Sequence, residues 1–94
     1  MARSRASLVV VRHAREGDLG PIEQLLDRIR DLGGLTERKP GTFYQGSRAF
    51  LHFHVDDAGM FADVKVDGSF QRMRVSTIRE QNRLVATVRR SVHA

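Results

Sequence analysis

The chain has 94 residues, contains no cysteine and carries a formal net charge of +5. This length predicts one small domain over residues 1–94, and the lack of cysteine excludes a disulfide framework and a thiolate metal site and suits a cytoplasmic protein. No apolar run approaches the roughly 20 residues needed to cross a bilayer, so we expect no membrane partner, whereas the basic balance favours polyanions such as nucleic acid.

The first 34 residues are predicted to contain one strand and one helix. Residues 1–6 are a candidate for disorder, and the β-branched segment Ser7–His13 is typical of a strand that either joins the sheet or covers one of its faces. The helix is expected to begin near Gly20-Pro21 and to end at Gly33-Gly34, following the usual preferences for proline and glycine at helix ends. Its apolar stripe consists of Ile22, Leu25, Leu26, Ile29 and Leu32.

The next segment is predicted to be a loop followed by a short edge strand. Thr36–Pro40 is polar and is interpreted as the loop, and Gly41–Gln45 as the strand. Alternation along that strand directs Tyr44 toward the core and Phe43 toward the other face.

The stretch Arg48–Val75 is predicted to form three antiparallel strands. The loop Asp56–Gly59 closes the first hairpin, and Asp67-Gly68 closes the second in a type I′ turn, which needs positive φ at both central residues. A slip of one residue would mix apolar and polar side chains on each face, so the pattern itself selects the register. One face is then apolar: Ala49, Leu51, Phe53, Val55, Met60, Ala62, Val64, Val66, Met73 and Val75.

The second face of these strands combines aromatic rings, imidazoles and charged groups. In the predicted register His52 lies beside Asp63, and Asp63 lies beside Arg72. Aromatic rings interleaved with bases on an open sheet can stack nucleobases and neutralise phosphates. The alternatives are that Ser7–His13 or a helix covers this face, or that two copies bury it in a homodimer. The predicted binding face consists of Arg48, Phe50, His52, His54, Phe61, Asp63, Lys65, Phe70, Arg72 and Arg74.

The last helix is predicted to begin at Thr77, because Thr77 and Glu80 have the spacing of a capping box. Together the elements predict an α+β fold, in which an antiparallel meander of about four strands carries two helices packed on one face. The apolar side of this helix consists of Ile78, Leu84, Val85, Val88 and Val92.

Two histidines on one strand suggest a metal site. His52 and His54 point the same way, and Asp63 across the strands would complete a set of two histidines and one carboxylate. Gly46 followed after five residues by His52-Phe53-His54 resembles the first cupin motif, which implies metal binding by these histidines, although the glutamate of that motif is absent. The alternative is that both are surface histidines, with His52 hydrogen-bonded to Asp63.

Three short segments precede the last helix in a recognisable order, namely Phe43-Tyr44, Ala49-Phe50 and Ala62–Lys65. An aromatic strand, an Ala-Phe strand and a Lys-ending strand in this order resemble the MmcQ/YjbR-like group of small bacterial α+β proteins. The resemblance covers the second half of the chain. It implies an α+β fold, and DNA binding has been discussed for some members by fold analogy.

The sequence therefore favours a non-enzymatic binding module that uses its Phe/His/Arg face for a protein partner, a second copy of itself or a polyanion such as nucleic acid. The alternative is a small metal-binding protein or enzyme centred on His52, His54 and Asp63, with Arg72 placing an anionic ligand. No Ser or Cys nucleophile lies beside the Asp–His pair in the predicted register, and no specific cofactor is indicated.

Overall fold

Six strands and two helices account for most of the residues that the computed structural model describes, which are 12–14 and 19–93. The predicted α+β architecture is confirmed, since the strands form an antiparallel sheet and the two helices pack on one of its faces. The strands are β1 (Arg12–His13), β2 (Thr36–Lys39), β3 (Thr42–Gln45), β4 (Arg48–Asp56), β5 (Gly59–Val66) and β6 (Ser69–Arg74). The helices are α1 (Glu23–Leu32), which follows a 3₁₀ turn over Gly20–Ile22, and α2 (Ile78–Val92).

The meander has five strands, β2 to β6 in chain order, rather than about four. The additional strand is β2, which falls in the segment Thr36–Pro40 that was predicted to be a loop. Thr36 of β2 lies opposite Tyr44 of β3, and the register shifts between Glu37 and Lys39. Because β2 is an edge strand with one neighbour, polar side chains are compatible with it.

The short strand β1 extends the sheet beside β4. Arg12 lies opposite Val55 and His13 opposite His54, while β3 pairs with the earlier part of the same β4 edge. The end of the predicted strand Ser7–His13 therefore joins the sheet. Residues 1–6, for which disorder was considered, and Ser7–Val11 lie outside the described residues.

The hydrophobic core lies between the helices and the apolar face of β4 and β5. Leu51, Val64 and Leu84 are fully buried, and the predicted stripe of α1 is buried from Ile22 to Ile29. Ile78 was predicted to join the core but is 68% exposed, because the inner position of this first turn is taken by Gln81, whose Nε2 donates to the Val75 carbonyl at 3.1 Å. Within the described residues, no helix has both the length and the apolar character that crossing a bilayer requires.

The predicted helix cap at Thr77 and the predicted turn at Asp67-Gly68 are both confirmed. The Thr77 hydroxyl accepts the Glu80 amide at 3.1 Å, and the Glu80 carboxylate accepts the Thr77 amide at 3.0 Å, which completes the capping box. Asp67 and Gly68 both have positive φ, of 52° and 88°, as a type I′ turn requires. These contacts set where α2 begins and how β5 pairs with β6.

An irregularity between β3 and β4 changes which aromatic residues are buried. Phe43 lies opposite Leu51 but Tyr44 lies opposite Ala49, so Phe50 is an extra residue on β4. A bulge interrupts the alternation of faces, and consecutive residues Phe50 and Leu51 are both buried, at 2% and 0% exposure.

The predictions for three aromatic residues were therefore wrong. Phe50 belongs to the core rather than to the second face, and Phe43 is likewise buried in the core, at 1% exposure. Tyr44 is only half-buried, and the Arg38 guanidinium lies 4.2 Å from its ring centroid. A sequence pattern with period two cannot anticipate the extra residue that causes this exchange.

Candidate metal centre

The second face of β4, β5 and β6 has the predicted register. His52 lies opposite Asp63, and Asp63 lies opposite Arg72. Opposite residues in an antiparallel pair share a face, so an imidazole, a carboxylate and a guanidinium form one row across three strands. A neighbouring row consists of His54, Phe61 and Arg74.

Three side chains of the types that can bind a metal ion converge where these rows meet. The Nε2 atom of His54 lies 2.7 Å from Oδ2 of Asp63 and 3.1 Å from Nδ1 of His52. All three residues offer a ligand atom within 4.8 Å of the others. His54 rather than His52 therefore makes the short contact with Asp63, because the diagonal neighbour is also within reach on a twisted antiparallel pair.

Arg72 holds the carboxylate of Asp63 from the other side. Its Nε and Nη2 atoms donate to the two carboxylate oxygens at 2.9 and 3.0 Å, and the Asp63 side chain is only 13% exposed. This bidentate bond lowers the pKa of Asp63 below its ordinary value against the opposing effect of burial. Asp63 is therefore an anion at neutral pH that can only accept hydrogen bonds or bind a cation.

The short contacts constrain the protons of the two histidines. Because ionised Asp63 is only an acceptor, the 2.7 Å contact requires a hydrogen on Nε2 of His54. If Nδ1 of His52 also carried a hydrogen, that hydrogen would point at the hydrogen on Nε2 of His54. The geometry therefore assigns a lone pair to Nδ1 of His52. One hydrogen thus lies among three atoms that are all good metal ligands, and a cation in its place would interact with all three.

Two of the three separations between the ligand atoms are close to those of metal ligands. Zinc binds imidazole nitrogen and carboxylate oxygen at about 2.0–2.2 Å, which places neighbouring ligand atoms roughly 3.0–3.4 Å apart in octahedral or tetrahedral geometry. The 3.1 Å separation lies inside this range, the 2.7 Å separation needs to open by a few tenths of an ångström, and all three atoms lie within 4.8 Å of one another. Side-chain rotation can supply such a change without moving β4 or β5.

An exposed aromatic ring borders the cluster. Phe70 is 43% exposed, and its ring centroid lies 5.1 Å from that of His52 in an edge-on arrangement. The Lys65 ammonium lies 5.0 Å from the centroid of Phe70. Phe70, Lys65 and His52 therefore form one continuous part of the predicted binding face.

Arg74, which was predicted to contact a partner, is held by groups of the fold. Its Nη2 donates to the Ala58 carbonyl at 2.8 Å, its Nε lies 3.7 Å from the Glu80 carboxylate, and its Cζ lies 5.5 Å from the centroid of Phe61. Its side chain is still 46% exposed. Arg74 is thus oriented by these contacts while one side of it remains accessible.

Three residues of the predicted binding face line a different place, because Lys65, which lies beside Phe70, also contributes to it. Arg48 and buried Phe50 line a cleft at the turn end of the sheet, together with Arg90 and Thr87 of α2. Helical periodicity puts Arg90 on the polar side of α2, but only the packing of α2 on the sheet brings it to Arg48. Sequence reasoning therefore missed the contribution of α2.

No protein-family model, curated protein or solved structure matches this chain. The resemblances to the MmcQ/YjbR-like group and to the first cupin motif stay predictions.

Proposed function

We propose that this protein binds a divalent transition-metal ion at the cluster of His52, His54 and Asp63. The observation that supports this function is the convergence of two imidazole nitrogens and one carboxylate oxygen within 4.8 Å of one another. The carboxylate is mostly buried and ionised, and its Oδ2 atom, which accepts from Arg72, also faces the His54 imidazole.

The donor set favours zinc or ferrous iron. Imidazole nitrogens suit zinc, iron, copper and nickel, whereas magnesium and calcium prefer oxygen ligands. Sites with three protein ligands keep at least one coordination position for water or another ligand. A two-histidine, one-carboxylate set therefore leaves room for a ligand to bind the ion directly.

Arg72 would act as the outer partner of the Asp63 ligand. Carboxylates that bind metal ions are commonly oriented by further hydrogen bonds, and the bidentate bond from Arg72 has this form. The Arg72 side chain is also 45% exposed, so it can meet an anion that approaches the ion from solvent. Arg72 would thereby favour an anionic ligand at the remaining coordination position.

A competition titration tests this function directly. Zn²⁺ is titrated into the metal-free protein in the presence of a chromophoric chelator, and we expect one ion per chain. His52→Ala and His54→Ala should each weaken Zn²⁺ binding by at least about a hundredfold, because a ligand is lost. The matched control is His93→Ala, which removes the exposed imidazole just after α2 and should leave the affinity unchanged.

Two results would contradict the proposal. One is Zn²⁺ binding that is unaffected by His52→Ala and by His54→Ala, and the other is the absence of stoichiometric binding by the native chain. His54 is buried, so circular dichroism of each variant must establish that it is folded. His52 is half-buried, and its variant keeps the test decisive if His54→Ala does not fold.

We also propose that the same face recognises a larger partner around Phe70. The supporting observation is an exposed ring among cations. Phe70 is exposed and has Lys65 beside it, and the guanidiniums of Arg72 and Arg74 are half-exposed. The candidate partners are another protein, a second copy of the chain, or a polyanion such as nucleic acid. Aromatic and arginine side chains are the residue types enriched at such interfaces.

Phe70→Ala is the variant that tests this second function, with Ile78→Ala as its control because Ile78 is also exposed but lies on α2. Light scattering measures self-association, and titration with an oligonucleotide at several salt concentrations measures polyanion binding. We expect Phe70→Ala to weaken whichever interaction is found, and nucleic-acid binding to fall as salt rises. If Phe70→Ala, Ile78→Ala and the native chain self-associate and bind the oligonucleotide equally well, this face is not the interface.

A further inference from the structure

A second cleft, of about 460 Å³, lies where the turns after β3 and β5 meet the last turns of α2. Its volume lies within the range typical of small-molecule sites. It is separate from the metal cluster, since it contains none of His52, His54 and Asp63. Its lining includes four charged residues, one threonine and one phenylalanine, namely Arg48, Lys65, Asp67, Arg90, Thr87 and Phe50.

Positive charge dominates this cleft. Arg48 at the start of β4, Lys65 near the end of β5 and Arg90 on α2 supply three cations from three elements, and Asp67 supplies one carboxylate. The formal net charge of the lining is therefore +2. Cations brought together from separate elements repel one another, and an anion between them would relieve this repulsion.

Polar and apolar groups of the cleft complement the cations. The Thr87 hydroxyl donates to the Arg83 carbonyl at 2.9 Å and accepts from Nη2 of Arg90 at 3.4 Å, which orients the guanidinium. On the apolar side, Phe50 is 2% exposed and Val66 lies beside it in the lining. The cleft can therefore contact a carbon skeleton as well as an anionic group.

We propose that this cleft binds a small organic phosphate. Its phosphate group would lie among Arg48, Lys65 and Arg90, and its carbon part would contact Val66 and the small exposed edge of Phe50. The dianion of a phosphate monoester matches the formal charge of the lining, whereas a carboxylate would balance only half of it. Guanidinium groups also bind phosphate oxygens in a bidentate manner.

The test is a titration with phenyl phosphate, followed by the amide NMR shifts of Gly68 and Ser91 at low salt and mildly alkaline pH. Arg48→Gln and Arg90→Gln should each weaken binding about tenfold, because each removes a charge-assisted hydrogen bond. The control is Arg79→Gln, which removes the same charge from the same helix outside the cleft and should have no effect. Asp67→Asn should strengthen binding about threefold, because it removes a like charge, and asparagine tolerates the positive φ of this position.

Three results would overturn the proposal. If Arg79→Gln weakens binding as much as Arg90→Gln, the phosphate responds to overall charge rather than to this cleft. If benzoate binds as tightly as phenyl phosphate, the cleft does not select the dianion. If the native chain gives no saturable shift at millimolar phenyl phosphate, there is no such site.

Discussion

Within the described residues, two bidentate pairs between an arginine and a carboxylate are nearly identical in geometry. Arg30 donates through Nε and Nη2 to the two oxygens of Glu37 at 2.7 and 2.9 Å. Arg72 donates through the same two atoms to Asp63 at 2.9 and 3.0 Å. In each pair the arginine lowers the pKa of the acid below its ordinary value.

The groups around the Arg30–Glu37 pair give it a structural role. Arg30 also donates through Nη1 to Glu23 and Asp27 at 2.9 and 2.8 Å, and Glu37 accepts the amide of Gly41 at 2.8 Å. These bonds connect α1 to β2 and to the turn that follows β2. The pair therefore links two elements and a turn.

The Arg72–Asp63 pair differs in what lies on the far side of the carboxylate. Asp63 faces the imidazole of His54, and His52 lies against the same imidazole. A bidentate ion pair is thus not in itself a site. What distinguishes the candidate site is a second group of ligand atoms that shares the carboxylate.

The largest expected effect is on Zn²⁺ affinity, and it distinguishes Asp63 from Glu37. Asp63→Asn should weaken Zn²⁺ binding by at least about a hundredfold, because an amide is a poor ligand and has no charge. Glu37→Gln makes the same chemical change in the other pair and should leave the affinity unchanged. Chelator competition on both variants measures the difference, and equal affinities would mean that the two pairs have the same role.

A smaller effect is expected at the arginine of the site. Arg72→Gln should weaken Zn²⁺ binding about tenfold, because Asp63 loses the partner that orients it. Arg79→Gln is the control for the lost positive charge. Tighter binding by Arg72→Gln would instead show that the guanidinium competes with the ion for Asp63.

The smallest effect concerns the free energy of unfolding. Glu37→Gln should lower it by about 1–2 kcal/mol at neutral pH, because the bonds to Arg30 and Gly41 are weakened. Arg30 holds the pKa of Glu37 below its ordinary value of 4.5, so this stabilisation is present above that pH and is lost as the pH falls below it.

Urea unfolding at neutral and at acid pH measures this change. The difference between the native chain and Glu37→Gln should shrink as the pH falls below the ordinary pKa of Glu37. A difference that stays constant would mean that the charge of Glu37 does not contribute to stability.

Patterns that depend on near neighbours were predictable from the sequence. Asp67-Gly68 and the alternation of β5 and β6 set the register that brings Asp63 opposite Arg72, because only one register keeps the apolar residues on one face. The capping box at Thr77 likewise predicted the start of α2. In both places, residues a few positions apart specify the backbone.

Other features required the tertiary structure. The pairing of polar β2 with β3 and the bulge at Phe50 depend on how neighbouring strands meet. The sheet geometry likewise determines that His54 rather than His52 reaches Asp63. In the same way, Arg90 reaches the cleft of Arg48 only through the packing of α2.

The physical reason for this division is the range of the interactions involved. Side-chain alternation, turns and helix caps are determined by residues close in sequence, so the sequence alone determined the two faces of β5 and β6 and the row from His52 to Arg72. Bulges, diagonal contacts and helix docking depend on the shape of surfaces that meet only when the core is packed. The tertiary structure alone therefore decided which side chains on those faces come within bonding distance.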